Sequence, residues 1–473
     1  MLMPSLPSWG LFVCMTLAIG LSAPGAHAAN SNPKLKACQM HEGSWAKCPT
    51  ETLPGVQSGY AFKQSPKASR PKAALVLLAG GPGQAATDAF FPMSRLLFDL
   101  SRDHDLIFFN PRGTSGPQRL TCPQSRSAEL GPLMDRNVQI ERARACVSKL
   151  GASQDLNQFG TDASLADLDH IREELGYEKL SFYGISYGTR LALRYAALYP
   201  NRVEKSVLEG ILPPEALIGI DTYYLEGVLR KIAARCRSAT LCLKAFGDPW
   251  DDYTKLIRTY ETAQIVTTVH PVTGVSQTFK IDRGTIEGMI LAMLYTEFDQ
   301  TMIPSLLHEA NRGNFGPLLA TLFTSSRTTE VEGVYYAIAC TEDVPFYQAQ
   351  NLTPRAQDLA RICGAYPFKA VNRLFHDPIR GAWPTLLLSG ELDPVTAPIL
   401  VEHLKEQLTA SEQLIVPNKG HNVFYLPCVA QKIVAFLKDD SSQKGKGQGP
   451  AHCPSDALPF MSGASSGPEE SKR

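Results

Sequence analysis

Three side chains of types that can do acyl-transfer chemistry stand at intervals that suit it. Ser186 sits at the centre of Gly184-Ile185-Ser186-Tyr187-Gly188, Asp393 in Gly390-Glu391-Leu392-Asp393-Pro394, and His421 in Asn418-Lys419-Gly420-His421-Asn422. A serine hydroxyl is a poor nucleophile near neutral pH. It needs a base to take its proton, and a histidine does this best with a carboxylate holding its far nitrogen. The chain order serine, acid, histidine is the one expected behind a G-x-S-x-G serine. Each residue also has a plain structural reading: a chance pentapeptide for Ser186, a turn or helix-capping carboxylate for Asp393, a surface-loop histidine for His421. Glu391 is the nearest rival of Asp393, and His403, in a polar helical stretch, is a weaker rival of His421. The three together favour hydrolysis. Acyl transfer further needs donors aimed at a developing oxyanion. The backbone N–H of Tyr187, next after the serine, is one expected donor, and the other is expected from the loop after an earlier strand, at Gly80 or Gly81.

These residues are useful only if the chain brings them to one edge, and the surrounding pattern predicts that it does. Ala73 to Leu78 (AALVLL) is an apolar run that ends in Ala79-Gly80-Gly81-Pro82-Gly83, a buried strand entering a sharp loop. Leu106 to Phe109 is a second such strand, Leu180 to Tyr183 a third that leads into Ser186, and Val207-Leu208 opens a fourth. Asp162 to Leu175 carries Leu165, Leu168, Ile171 and Leu175 at helical spacing and is closed by Gly176. Thr189 to Tyr199 is a helix stopped by Pro200. Alternating strands and helices predict a parallel sheet covered on both faces. From 213 to 382 helical segments such as Tyr223 to Arg235 and Thr285 to Tyr295 dominate, with one hairpin, Ile265 to Ile281, turning at Thr273-Gly274. Strands return at Pro384 to Ser389 and Gln413 to Val416, followed by a closing helix, Val429 to Leu437. Asp393 and His421 thus fall just past strand ends, where sheets of this kind place their sites. The expected organisation is a leader (1–28), a core (29–212 and 383–438) interrupted by a helical cap (213–382), and a low-complexity tail (439–473).

The 473 residues carry 46 Lys+Arg against 46 Asp+Glu, so no global field points to nucleic acid or to an anionic membrane. Leu11 to Leu21 is apolar but too short to span a bilayer, and Ala26-His27-Ala28 follows as a small-x-small cleavage pattern. This reads as a secretory leader for an exported protein, periplasmic or secreted, although no Lys or Arg precedes the apolar run. No later stretch is long and apolar enough to span. Of 11 cysteines, Cys14 lies in the leader. The other ten fall as neighbours, Cys38 with Cys48, Cys122 with Cys146, Cys236 with Cys242, Cys340 with Cys363 and Cys428 with Cys453, and sequential pairing predicts five local disulfides. Buried free thiols are the alternative. No cysteine or histidine cluster has zinc spacing, and the chemistry requires no metal or organic cofactor.

Beyond these patterns, Leu78-Ala79-Gly80-Gly81-Pro82-Gly83-Gln84 resembles the His-Gly-Gly-Pro-Gly oxyanion loop of the proline iminopeptidases, and more closely that of their tripeptidyl-aminopeptidase-like relatives. The similarity continues through Pro111-Arg112-Gly113-Thr114, Phe182 to Thr189, Ala337-Ile338-Ala339-Cys340, Gly390 to Pro394 and Gly420-His421. Ala79 and Asn110 depart from it, standing where many members have His and Asp. The resemblance implies an α/β-hydrolase fold and release of residues from the free N-terminus of peptides beneath a helical cap. An aminopeptidase must recognise an ammonium group, and Glu342, Asp343 and Glu209 are the carboxylates expected to do so. The alternatives are an esterase with the same triad, acting on a small acyl substrate, and a non-catalytic binding protein on the same scaffold.

Overall fold

The computed structural model describes residues 34–41, 44–51, 53–67, 73–123, 129–220, 222–324, 330–438, 453 and 456–461. The leader expected over 1–28 lies outside these residues. Nine strands form one sheet: β1 (Leu35–His41), β2 (Ser44–Pro49), β3 (Gly59–Lys63), β4 (Ala73–Leu78), β5 (Leu106–Asn110), β6 (Lys179–Ile185), β7 (Val203–Glu209), β10 (Thr385–Gly390) and β11 (Ser411–Val416). Their spatial order is β1-β2-β3-β5-β4-β6-β7-β10-β11. The first three strands pair antiparallel, β3 also to β5, and every pair from β5 to β11 is parallel. A separate hairpin joins β8 (Gln264–Val269) to β9 (Ser276–Ile281).

The apolar strands are apolar because both faces are covered. In β4, Ala74, Val76 and Leu78 join one cluster with Phe109, Leu168 and Leu191, while Leu75 and Leu77 join the opposite cluster with Leu100, Phe108 and Ile433. Alternate side chains of a strand point to opposite faces, so one run feeds two cores. A third cluster fills the helices between β7 and β10. Leu229, Tyr253, Ile290, Ile303 and Phe315 pack there with Phe279 of β9. Leu392, next to Asp393, inserts into this same cluster, which ties the loop after β10 to the helical layer.

β1, β2 and β3 were not expected from the sequence. β1 is the edge strand and β2 its inner neighbour; Lys, Gln and His in LKACQMH, and Ser and Lys in SWAKCP, keep either from presenting a continuous apolar run. The register of the central strands serves the site. Leu78 pairs with Gly184, Ile185 with Glu209, and Gly390 with Val416, so the loops that leave these strands emerge along one edge. Among the described residues no helix is long and apolar enough to cross a membrane.

Candidate active site

Ser186 joins β6 to the helix Tyr187–Leu198 with φ 57° and ψ −124°. Positive φ is costly for a residue with a Cβ, and such strain persists only where the surroundings enforce it. The enforcement is visible. The Ser186 N–H donates to the Glu209 carbonyl at 2.8 Å, and its own carbonyl accepts from Thr189 Oγ1 at 2.6 Å and Thr189 N at 2.9 Å. A Cβ on Gly188 would lie 2.1 Å from the Leu78 carbonyl oxygen, so only glycine lets the helix pack this closely on β4. Gly80 is pressed against the serine, with a Cβ built on it falling 3.1 Å from Ser186 Cβ. The N–H of Tyr187 opens the helix and therefore has no intrahelical acceptor. Tyr187 itself is buried, its hydroxyl 2.6 Å from Thr161 Oγ1.

His421 and Asp393 meet in the buried interior of the same edge. His421 Nδ1 lies 2.9 Å from Asp393 Oδ2. Asp393 Oδ1 accepts from the backbone N–H groups of Val395 (2.8 Å) and Thr396 (3.0 Å), and Oδ2 also accepts from Thr396 Oγ1 at 2.6 Å. Burial by itself would raise the pKa of Asp393, but the charge and hydrogen bond of His421 and the Thr396 donors outweigh it, and the carboxyl is held below its ordinary range. Burial would likewise lower the pKa of His421. The charge and hydrogen bond of Asp393, helped by the charge of Glu209, prevail and raise it. The His421 loop is fixed from the helical layer as well. Its N–H donates to the Tyr295 carbonyl at 3.0 Å, and the two rings meet edge-on at 5.1 Å. Gly210 connects the two halves of the site: a Cβ there would stand 2.8 Å from His421 Cε1, and Gly210 follows the residue whose carbonyl holds the Ser186 N–H.

Thr396 was missed in the sequence reading. Its signal was present, since an Asp followed three residues later by Thr is a turn-capping pattern. Of the rivals, Glu391 is spent on the Asn418 N–H at 3.1 Å and on Lys231 at 3.3 Å, and His403 is exposed. Asn110, one of the departures, accepts from the Thr87 N–H at 3.2 Å and so braces the segment after the Gly80–Gly83 loop.

The three carboxylates expected to receive a substrate ammonium are elsewhere. Glu342 is fully buried and accepts from Thr161 N at 2.6 Å and Thr161 Oγ1 at 2.7 Å. Asp343 is fully buried against Arg190, at 3.0 and 3.2 Å, and takes the Ile218 N–H at 3.0 Å. Glu209 is fully buried beneath the site, accepting from Tyr183 Oη at 2.6 Å and from the Val423 and Phe424 N–H groups at 2.6 and 3.0 Å. Their acceptor sites are filled by internal donors, so all three hold segments together and none presents an open oxygen to a ligand. Sequence spacing placed them near the right elements; side-chain direction turned them inward.

The ten cysteines stand in the five neighbour pairs, with Cα separations of 5.7 Å (Cys38–Cys48), 5.5 Å (Cys122–Cys146), 5.2 Å (Cys236–Cys242), 5.3 Å (Cys340–Cys363) and 5.7 Å (Cys428–Cys453). The last pair anchors a part of the tail that lies against the helical layer. Leu458 N–H donates to Glu297 Oε1 at 3.0 Å, Arg235 stacks on the Phe460 ring at 4.2 Å, and Glu297 forms a buried ion pair with Lys419, two residues before His421.

Comparison with known proteins bears on the fold and the family. Residues 73–244 match the model described as alpha/beta hydrolase fold, and residues 350–448 match the model described as TAP-like protein. YuaR of Escherichia coli is 26% identical over 163 residues, 34% of this chain and 32% of that protein. Serine protease Hip1 of Mycobacterium tuberculosis is 26% identical over 413 residues, covering 77% of this chain and 78% of its own. Tripeptidyl aminopeptidase of Streptomyces lividans is 28% identical over 163 residues, 31% of this chain and 30% of that enzyme. The chain therefore spans about a third of two of these relatives and more than three quarters of the other. The chain has the α/β-hydrolase fold, and its matches to the TAP-like model and to protease- and aminopeptidase-named relatives support an α/β-hydrolase peptidase family.

Proposed function

We propose that the protein is an exported serine aminopeptidase in which Ser186, His421 and Asp393 form the catalytic triad. The observation that carries this reading is the His421–Asp393 pairing at the ends of β11 and β10, on the same edge as a serine held at positive φ after β6. With Nδ1 of His421 donating to Asp393, Nε2 is left as the base. Ser186 Oγ attacks the scissile carbonyl carbon and passes its proton to Nε2. The oxyanion so formed is held by the N–H of Tyr187 and by an N–H of the Gly80–Gly81 loop. His421 then gives the proton to the departing amine as the C–N bond breaks, leaving an ester on Ser186. Water, deprotonated by the same imidazole, hydrolyses that ester and releases the N-terminal fragment as a carboxylate. The helical layer between β7 and β10 is proposed as the cap that limits entry to chain ends. The five cysteine pairs and the 1–28 leader pattern support export.

Carboxylic-ester hydrolysis is the second reading, favoured by the inward burial of Glu209, Glu342 and Asp343. The two are separated with matched chromogenic peptide anilides bearing free or acetylated N-termini, offered to wild type and Ser186→Ala. Cleavage confined to the free-amine set, and lost in the variant, is the expected result. Equal cleavage of both sets would transfer the same triad to a general hydrolase, and activity surviving in Ser186→Ala would remove Ser186 from the mechanism.

A further inference from the structure

The strand order poses a mechanical problem that one buried side chain answers. The run β6-β7-β10-β11 sets Ser186 after β6, Asp393 after β10 and His421 after β11, so the base must reach back across two strands to the nucleophile. Glu209 ends β7, which lies between them, and it grips both sides. Its backbone carbonyl accepts the Ser186 N–H at 2.8 Å. Its Oε1 accepts the N–H groups of Val423 at 2.6 Å and Phe424 at 3.0 Å, from 214 and 215 positions along the chain, which draws the segment after His421 over β7. Tyr183 of β6 donates its hydroxyl to Oε2 at 2.6 Å. A Cβ on Gly210 would stand 2.8 Å from His421 Cε1, so the imidazole rests on the backbone that follows Glu209.

The contacts also mark Glu209 as charged. All three partners of its carboxyl donate, which suits an ionised, acceptor-only carboxylate. Burial raises its pKa, and the Tyr183 hydroxyl, the two N–H groups and the charge of His421 oppose that rise. A fully buried carboxylate whose contacts are all neutral donors is costly, and a cation that forms nearby offsets that cost. His421 becomes such a cation each time it takes the Ser186 proton. Facing His421 are Asp393 from the loop after β10, the Thr396 hydroxyl, Glu209 from the end of β7 and the Tyr295 ring from the helical layer, while Lys419 is paired with Glu297. Facing Glu209 are Tyr183 and, farther off, Tyr425, whose pKa is pushed up to about 12 by burial and then by the charges of Glu297 and Glu209.

We infer that Glu209 is a second acid serving the triad as a positioning residue: it holds the His421 loop over Ser186, and its negative charge joins that of Asp393 in balancing the imidazolium. This rests on the reading of Ser186, His421 and Asp393 as the triad. Glu209 touches neither substrate nor reacting atoms, so its effect passes through His421.

The test follows the rate at which a fluorophosphonate labels Ser186 between pH 4 and 9. Ser186 Oγ attacks phosphorus, fluoride leaves and His421 takes the serine proton, so the rate reads the base whatever acyl group the enzyme prefers. In Glu209→Gln the amide oxygen takes the two N–H groups and the NH₂ faces the Tyr183 hydroxyl, which turns to accept; the contacts survive and the charge goes. Labelling should still reach completion, with a plateau rate at least about tenfold lower and an acid limb about half a pH unit or more below that of wild type. Glu209→Asp keeps the charge and shortens the reach, so its acid limb should stay within about 0.2 pH unit of wild type while the plateau falls at least about threefold. Complete labelling of Glu209→Gln with the acid limb in place overturns the inference and leaves the carboxylate a purely structural role. Should Glu209→Gln yield no labelled protein, Glu209→Asp decides, and a displaced limb or an unchanged plateau overturns it. Labelling that survives Ser186→Ala, or an acid limb that Asp393→Asn leaves in place, sinks the triad reading itself; with both controls as expected, only the role of Glu209 is at stake.

Discussion

Replacing Asp393 with asparagine is a perturbation whose outcome the geometry specifies atom by atom. Oδ1 accepts two backbone N–H groups, from Val395 at 2.8 Å and Thr396 at 3.0 Å. The carbonyl oxygen of an asparagine must take that position, because an NH₂ there would face two donors. The NH₂ is then forced into the Oδ2 position, 2.9 Å from His421 Nδ1, with the Thr396 hydroxyl turning round to accept. An NH₂ donates, so His421 must present a bare Nδ1 to it and carry its proton on Nε2. The nitrogen that has to take the serine proton is then already protonated. A wrong tautomer in an otherwise intact triad costs about 10⁴ in kcat, equivalent to about 5.4 kcal/mol at about 1.36 kcal/mol per decade. The pH profile should move as well. In wild type the raised pKa of His421 moves the acid limb of kcat/KM up from the ordinary histidine range, because the base must be neutral in the free enzyme. Losing the Asp393 charge removes the main raising influence, so the residual activity of Asp393→Asn should persist to lower pH than that of wild type. Single-turnover cleavage of a free-amine anilide from pH 4 to 9, normalised by phosphonate labelling, reads both effects. A loss under about tenfold, or an acid limb that stays in place, would refute the tautomer argument and with it the role given to Asp393.

Gly80→Ala puts a methyl group 3.1 Å from Ser186 Cβ and must move the loop away from the serine. Its kcat should drop about 10²–10³-fold, the usual cost of one oxyanion donor, with the melting temperature nearly unchanged; a kcat within threefold of wild type would take the loop out of the oxyanion site. Cys453→Ser opens a link with a sequence separation of 25 residues and frees the segment that donates Leu458 N–H to Glu297. The chain-entropy model puts the stability loss at about 3.5 kcal/mol. Urea unfolding should show it as a lower midpoint, and a loss below about 1 kcal/mol would mean the tail segment holds its place without the link.

Much of this protein could be read locally. AALVLL, LIFF and PTLLLS are short apolar runs bounded by turn residues, and each is a strand because a run of that length buried on both faces has few other stable forms. Ser186 was legible for a related reason: the glycines around it and the strand and helix on either side are neighbours in sequence, so the strained turn is written in one pentapeptide. The cysteine pairs are likewise local, each closing a loop of 6 to 25 residues. What tertiary structure alone decided is which way the acidic side chains face. Glu342 and Asp343 look in sequence like any charged pair after a helix, but Thr161 is 181 positions from the first and Arg190 is 153 from the second. Strand and turn propensities act over a few residues, whereas the donors that satisfy Glu342 and Asp343 are brought by folding from more than a hundred residues away.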